Sequence, residues 1–108
     1  MASAAQLTAV MKTLADPTRR AVFERIAREG EVAATGLVKG TKVSQPAVSQ
    51  HLRALRDAGL VTERREGRHI HYRVAPNGLT PLIGWLGHYQ AFWNERFENL
   101  ERLLKETE

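Results

Sequence analysis

The chain has 108 residues, with 16 Lys or Arg against 12 Asp or Glu and a net charge of +4, a balance that favours a polyanionic partner. It has no cysteine, which excludes disulfides, thiolate metal sites, cysteine nucleophiles and thiol redox sensing. One domain, 1–108, with a modest core is expected, and no apolar run approaches the roughly 18 residues of a membrane span. The first residues lack a basic segment followed by an apolar one, so a cytoplasmic protein without membrane contact is the expectation.

Leu7, Val10, Met11 and Leu14 recur at helical spacing and predict a short amphipathic helix over 4–14 that needs a partner surface. Asp16-Pro17 supplies an N-cap and a first-turn proline for a second helix, with Val22, Phe23, Ile26 and Ala27 as its buried face up to Gly30. Residues 33–39 form a third, short helix, and Gly40 to Val43 make a tight connection. The next helix starts at Ser44, whose hydroxyl suits an N-cap, with Pro46 in the first turn and Gly59 just beyond its end. Val48, Leu52 and Leu55 make its apolar stripe, while Gln45, Ser49, Gln50, Arg53 and Arg56 occupy the other side. Such amides, hydroxyls and guanidiniums suit the hydrogen-bonding edges of DNA bases, and they equally suit a solvated helix face. Two helices joined by a short glycine-containing turn, the second polar and basic outside, form a helix-turn-helix over 33–58.

Beyond Gly59 the pattern becomes extended. Residues 60–65 and 68–75 are rich in Val, Ile, Thr and Tyr and flank Glu66-Gly67, which predicts a β-hairpin over 60–75. Ile70, Tyr72 and Val74 alternate with His69, His71 and Arg73, so one side packs inward and the other is basic and wet. Arg64, Arg65 and Arg68 cluster at the tip, where they can meet a phosphate backbone or simply keep an edge strand soluble. From 39 to 73 eight basic residues face three acidic ones, whereas from 79 to 108 three basic residues face five acidic ones. After the turn Pro76-Asn77-Gly78, a single last helix over 79–106 carries Leu82, Trp85, Leu86, Tyr89, Trp93, Phe97 and Leu100. That is more apolar surface than so small a domain absorbs. With Leu7, Val10 and Met11 of the first helix it predicts a homodimer interface.

Three segments carry a family resemblance: Leu14-Ala-Asp-Pro-Thr-Arg-Arg20, Val43-Ser-Gln-Pro-Ala-Val-Ser-Gln-His-Leu-Arg-Ala-Leu-Arg-Asp-Ala-Gly-Leu-Val61 and Arg65-Glu-Gly-Arg-His-Ile-His-Tyr-Arg73. In this order they closely resemble the ArsR/SmtB family of bacterial winged helix-turn-helix repressors. The resemblance implies a mainly α fold with a β-hairpin wing: four helices, two strands and a fifth helix, dimeric through the first and last helices. It also implies that the helix at 44 enters the major groove. Many members sense metals, but the segment matching one metal motif, Glu31-Val-Ala-Ala-Thr-Gly-Leu37, has Ala33 at the ligand position. The last helix offers His88 alone to the family's other type of site, and one ligand does not hold zinc. His69 and His71 share a strand face, but basic wing residues need no metal to explain them. No metal or other cofactor is therefore expected, and the chain is similar to the non-metal branch, the sporulation-delay autorepressor type.

The expected function is a dimeric repressor of double-stranded DNA that reads an inverted repeat. Gln45, Ser49 and Gln50 would read bases and Arg53 would share base and backbone. Ser44, Arg56, Arg64, Arg65 and Arg68 would meet phosphates, with Pro46 and His69 close by. His51 fits either a packed helix edge or DNA. The competing readings are a winged-helix protein-interaction module and a repressor governed by a small molecule at the dimer interface, its effector unidentified. An enzyme is not expected, because no paired carboxylates in an apolar setting, Ser, His and Asp motif or phosphate loop is present.

Overall fold

A computed structural model describes residues 3–107, so the ends of the expected domain, Met1, Ala2 and Glu108, lie outside the described residues. Helix α1 (Ala4–Ala15) begins at a reciprocal cap: the Ser3 hydroxyl accepts from the Gln6 amide, and the Gln6 side chain accepts from the Ser3 amide. Asp16 caps α2 (Pro17–Glu29) by accepting from the Arg19 N–H at 3.0 Å, which holds its carboxyl below the usual carboxylate range. After Gly30 the chain enters β1 (Glu31–Ala33), then α3 (Ala34–Lys39) and α4 (Gln45–Asp57). Strands β2 (Val61–Glu66) and β3 (His69–Val74) follow, then α5 (Thr80–Gly87) and α6 (Gln90–Glu106).

The core sits where α2, α4 and the sheet meet. Val22, Phe23 and Ile26 of α2 face Val48, Leu52 and Leu55 of α4, with Leu37 of α3 and Leu60, Val61 and Tyr72 at the wing's base. Full burial of each such aliphatic or aromatic side chain contributes about 1.5–3 kcal/mol. Ala27, expected on the buried face of α2, is exposed. The amide of Leu60 donates to the Leu55 carbonyl at 2.9 Å and that of Ala75 to the Leu60 carbonyl at 3.0 Å, so the wing is tied to the end of α4. Gly78 closes this base: a Cβ there would stand 2.8 Å from the Gly59 carbonyl oxygen and 3.0 Å from the Leu60 Cα.

Four details differ from the sequence reading. First, the sheet has three antiparallel strands in the order β1-β3-β2, with Val32 opposite Tyr72. Three residues with one buried valine are too short to show a strand period, so β1 exists because β3 offers it an edge. Second, Glu66 pairs with His69, so the hairpin turn is Gly67-Arg68 rather than Glu66-Gly67. Gly67 has φ +61°, the left-handed conformation that a tight hairpin turn demands at its first central position.

Third, the expected single last helix is two. The amides of His88 and Tyr89 donate to Trp85 and Leu86, three residues back, so the helix tightens and restarts at Gln90. Gly84 and Gly87, both weak helix formers, precede the joint. Fourth, Val10 is not free for a partner: it is 1% exposed and belongs to the core, because α1 packs on α2 and α5 through that side. Leu82 is likewise half-buried against the core, and Leu7 is half-buried.

Beyond Leu82 every described residue is exposed. Of eleven exposed large apolar residues among the described ones, ten lie from Ile83 onward, and α6 buries none of its side chains. The radius of gyration is 18.0 Å, against about 13 Å for a globular chain of this size. No helix among the described residues is long and apolar enough to cross a membrane.

Candidate nucleic-acid interface

Helix α4 is built to present one face. Its first turn is held by the Ser44 hydroxyl, which accepts from the Ala47 amide at 3.3 Å, and Pro46 occupies a position where no amide is required. With Val48, Leu52 and Leu55 buried beneath it, the helix turns Ser44, Gln45, Pro46, Ser49, Gln50, Arg53 and Arg56 outward, all exposed. Strand alternation does the same in the wing. Val61, Glu63 and Arg65 of β2 register with Val74, Tyr72 and Ile70 of β3 on the side facing α4.

The two elements enclose a groove of about 440 Å³. Gln45, Ser49, Arg53 and Arg56 line it from α4, and Glu63, Arg65, Arg68 and His69 line it from the wing, over a floor of Leu52, Ile70 and Tyr72. Among the described residues Arg53, Arg65 and Arg68 make no ion pair, so their charge is available to a ligand. Arg56 is partly engaged, 3.3 Å from Glu63 and 3.6 Å from Asp57. Burial, and then the Glu63 carboxylate, push the Tyr72 phenol above its usual range, so it stays protonated at the groove floor.

Arg64, expected beside these residues, is placed elsewhere. It registers with His71 on the opposite face of the sheet, where its guanidinium meets Glu31 at 2.7 and 3.0 Å and Glu66 at 2.9 Å. Glu66 and then Glu31 hold the Arg64 proton more tightly than usual, and Arg64 holds the Glu66 carboxyl below the usual glutamate range. A lowered carboxylate pKa adds stability above the ordinary glutamate range, and this is lost as pH falls through the folded value. The melting temperature of Arg64→Met should therefore fall less steeply than wild type between about pH 5 and pH 3. Superimposable acid limbs in thermal melts would show that the pair adds nothing.

The histidines separate. His51 is half-buried, its Nδ1 accepting from the Arg19 Nε at 3.4 Å, which favours the packed helix edge. His71 lies behind the wing, 3.9 Å from Glu31 and 3.7 Å from Glu66, while His69 lines the groove. His88 ends α5 beside Leu7 and Trp85. Among the described residues no three His, Cys, Asp or Glu stand together as a metal site.

Two groove features escaped the sequence reading. Ala34 and Thr35 of α3 line its far end. Glu63 lies inside it, and the signal was available: in β2 it shares the parity of apolar Val61, hence the packed side of the strand.

Residues 14–64 match a helix-turn-helix domain family. An HTH-type transcriptional regulator of Mycobacterium tuberculosis is 46% identical over 93 residues, covering 86% of this chain and 83% of that protein. The transcriptional repressor SdpR of Bacillus subtilis is 30% identical over 77 residues, or 71% and 84% of the two chains. The arsenic resistance regulator ArsR1 of Pseudomonas putida is 45% identical over 67 residues, 62% of this chain, which spans about half (52%) of that relative's length. Among solved structures, an ArsR family transcriptional regulator superposes with a TM-score of 0.75 at 30% identity, over 87% of this chain and 97% of that one. A homodimeric winged helix-turn-helix DNA-binding domain from Mycobacterium bovis reaches 0.64, also at 30%, over 80% and 79%. By its fold, its helix-turn-helix match and these likenesses over most of its length, the chain belongs to the ArsR family of winged helix-turn-helix transcriptional regulators.

Proposed function

We propose that the protein is a dimeric repressor that binds an inverted repeat in double-stranded DNA. The observation that carries this reading is the groove between α4 and the wing, which joins uncharged hydrogen-bonding side chains to unpaired arginines on one accessible surface. Gln45, Ser49 and Gln50 read base edges, where amides can bond two positions of adenine, and Arg53 spans base and backbone. Arg56, Arg65 and Arg68 neutralise phosphates, with Ser44, Pro46 and His69 at close approach. Arg64, bound to two carboxylates behind the wing, has no part in this role.

A second copy covers the apolar face that one chain leaves bare. Met11 of α1 with Trp85, Leu86, Tyr89, Trp93, Phe97 and Leu100 of α5 and α6 forms the contact, with Leu7 and Leu82 at its inner margin. The two-fold then sets the α4 helices roughly 34 Å apart, one turn of duplex. No thiolate is present to hold arsenic or zinc as a switch.

Mobility shift of random duplex across a salt series tests the reading. If each of the three unpaired groove arginines, Arg53, Arg65 and Arg68, in both protomers neutralises one phosphate, log affinity should fall against log salt with a slope of about −5. No shift at any salt would favour a protein-interaction module. Roles on this exposed surface separate by substitution. Gln50→Ala should weaken one operator by roughly 1–3 kcal/mol and leave random duplex alone, whereas Arg68→Ala should weaken both and reduce the slope by about 1 per protomer. Equal losses on both duplexes in the two variants would overturn these assignments.

A further inference from the structure

An acid inside a phosphate-binding groove needs a reason. Among the described residues Glu63 is the single carboxylate lining a groove whose other ionisable side chains include Arg53, Arg56, Arg65, Arg68 and His69. Its Oε1 accepts from the Arg56 Nη1 at 3.3 Å, linking the last turn of α4 to the first half of β2. Both side chains are substantially exposed, 44% for Arg56 and 40% for Glu63, and exposed pairs contribute little to stability. Folding therefore does not account for it. Across the sheet Glu63 registers with Tyr72 of β3, which is buried at the groove floor.

We propose that Glu63 is a positioning and specificity-determining residue: it holds Arg56 across the groove and withholds that cation from DNA of the wrong sequence. The proposal rests on the DNA-binding reading above. Random duplex is held by phosphate neutralisation alone, so a sequestered Arg56 and an added negative charge weaken it directly. An operator is also held by Gln45, Ser49 and Gln50, whose register depends on the spacing between α4 and the wing that the bridge sets. The carboxylate thus costs the wrong partner more than the right one.

Glu63→Gln keeps the shape and an acceptor while removing the charge. Binding is read by mobility shift on random duplex and on the operator recovered by selecting bound genomic fragments. Random affinity should rise roughly tenfold with a salt slope steeper by about 1 per protomer, while operator affinity changes by less than about threefold. Adding Arg56→Gln should return random affinity to the wild-type level, because the effect acts through that guanidinium. Equal rises on both duplexes, no rise on random duplex, or a rise that survives in the double variant would each overturn the proposal. A thermal melt of each variant separates these outcomes from misfolding. A wild-type chain that shifts no duplex would instead overturn the DNA-binding reading and this inference together; a wild type that binds while Glu63→Gln behaves identically overturns this inference alone.

Discussion

Trp93→Glu and Phe97→Glu are each expected to turn a dimer into a monomer and to lower operator affinity by about 10²–10⁴-fold, the loss of one linked half-site. Trp93 is 49% and Phe97 59% exposed, on a helix that buries nothing within its own chain. The two rings lie 6.4 Å apart, centroid to centroid, and Trp93 also packs edge-on against Phe92 at 5.1 Å, so the patch is continuous. In a two-fold interface one substitution places two carboxylates in a contact built from aromatic rings. Truncating a central aromatic residue typically costs 2 kcal/mol or more, and a buried unpaired charge costs further. Light scattering after gel filtration gives the oligomeric state, and operator shift gives the affinity. Because neither side chain supports the monomer core, the helical circular dichroism of the variants should persist. Variants that stay dimeric and bind normally would remove the α5–α6 face from the interface.

Leu55→Ala is expected to destabilise the protein by about 2–5 kcal/mol, the cost of deleting a buried leucine and leaving part of its volume empty. Leu55 is fully buried beneath the last turn of α4, and its carbonyl accepts the Leu60 amide that starts the wing. For a domain whose total stability is of the order of 5–15 kcal/mol this is a large share, and the melting temperature should drop by about 10 °C or more. Leu103→Ala, at a 58% exposed position on α6, makes the comparison. It should act through dimerisation and so depend on protein concentration, whereas the Leu55 effect should persist at low concentration. Urea unfolding at two concentrations distinguishes them. A loss below about 1 kcal/mol for Leu55→Ala would contradict the closed core described above.

The elements most legible in the sequence were those specified by local chemistry. Ser44, Pro46 and the 48, 52, 55 stripe define α4 without reference to any other segment, and its observed limits agree with that reading. Asp16-Pro17 and Gly30 do the same for α2. The joint at His88-Tyr89 was hidden because apolar residues continue through it, and periodicity records the stripe but not the change of hydrogen bonding beneath it. Val10 was assigned to a partner because a stripe reports that a surface must be covered, not by which chain.

The sequence by itself determined that the chain has no thiolate, that its positive charge gathers between 39 and 73, and that α4 buries three aliphatic residues while presenting amides and guanidiniums. These follow from composition and from a period set within one helix. Only the tertiary structure decided which of the arginines share a groove. In a strand neighbouring side chains point to opposite faces, and the face each occupies depends on the register of β2 with β3 and on the elements packed against the sheet. That register sends Arg65 toward α4 and Arg64 to the carboxylates behind the wing, and it sets Glu63 among the cations of the groove.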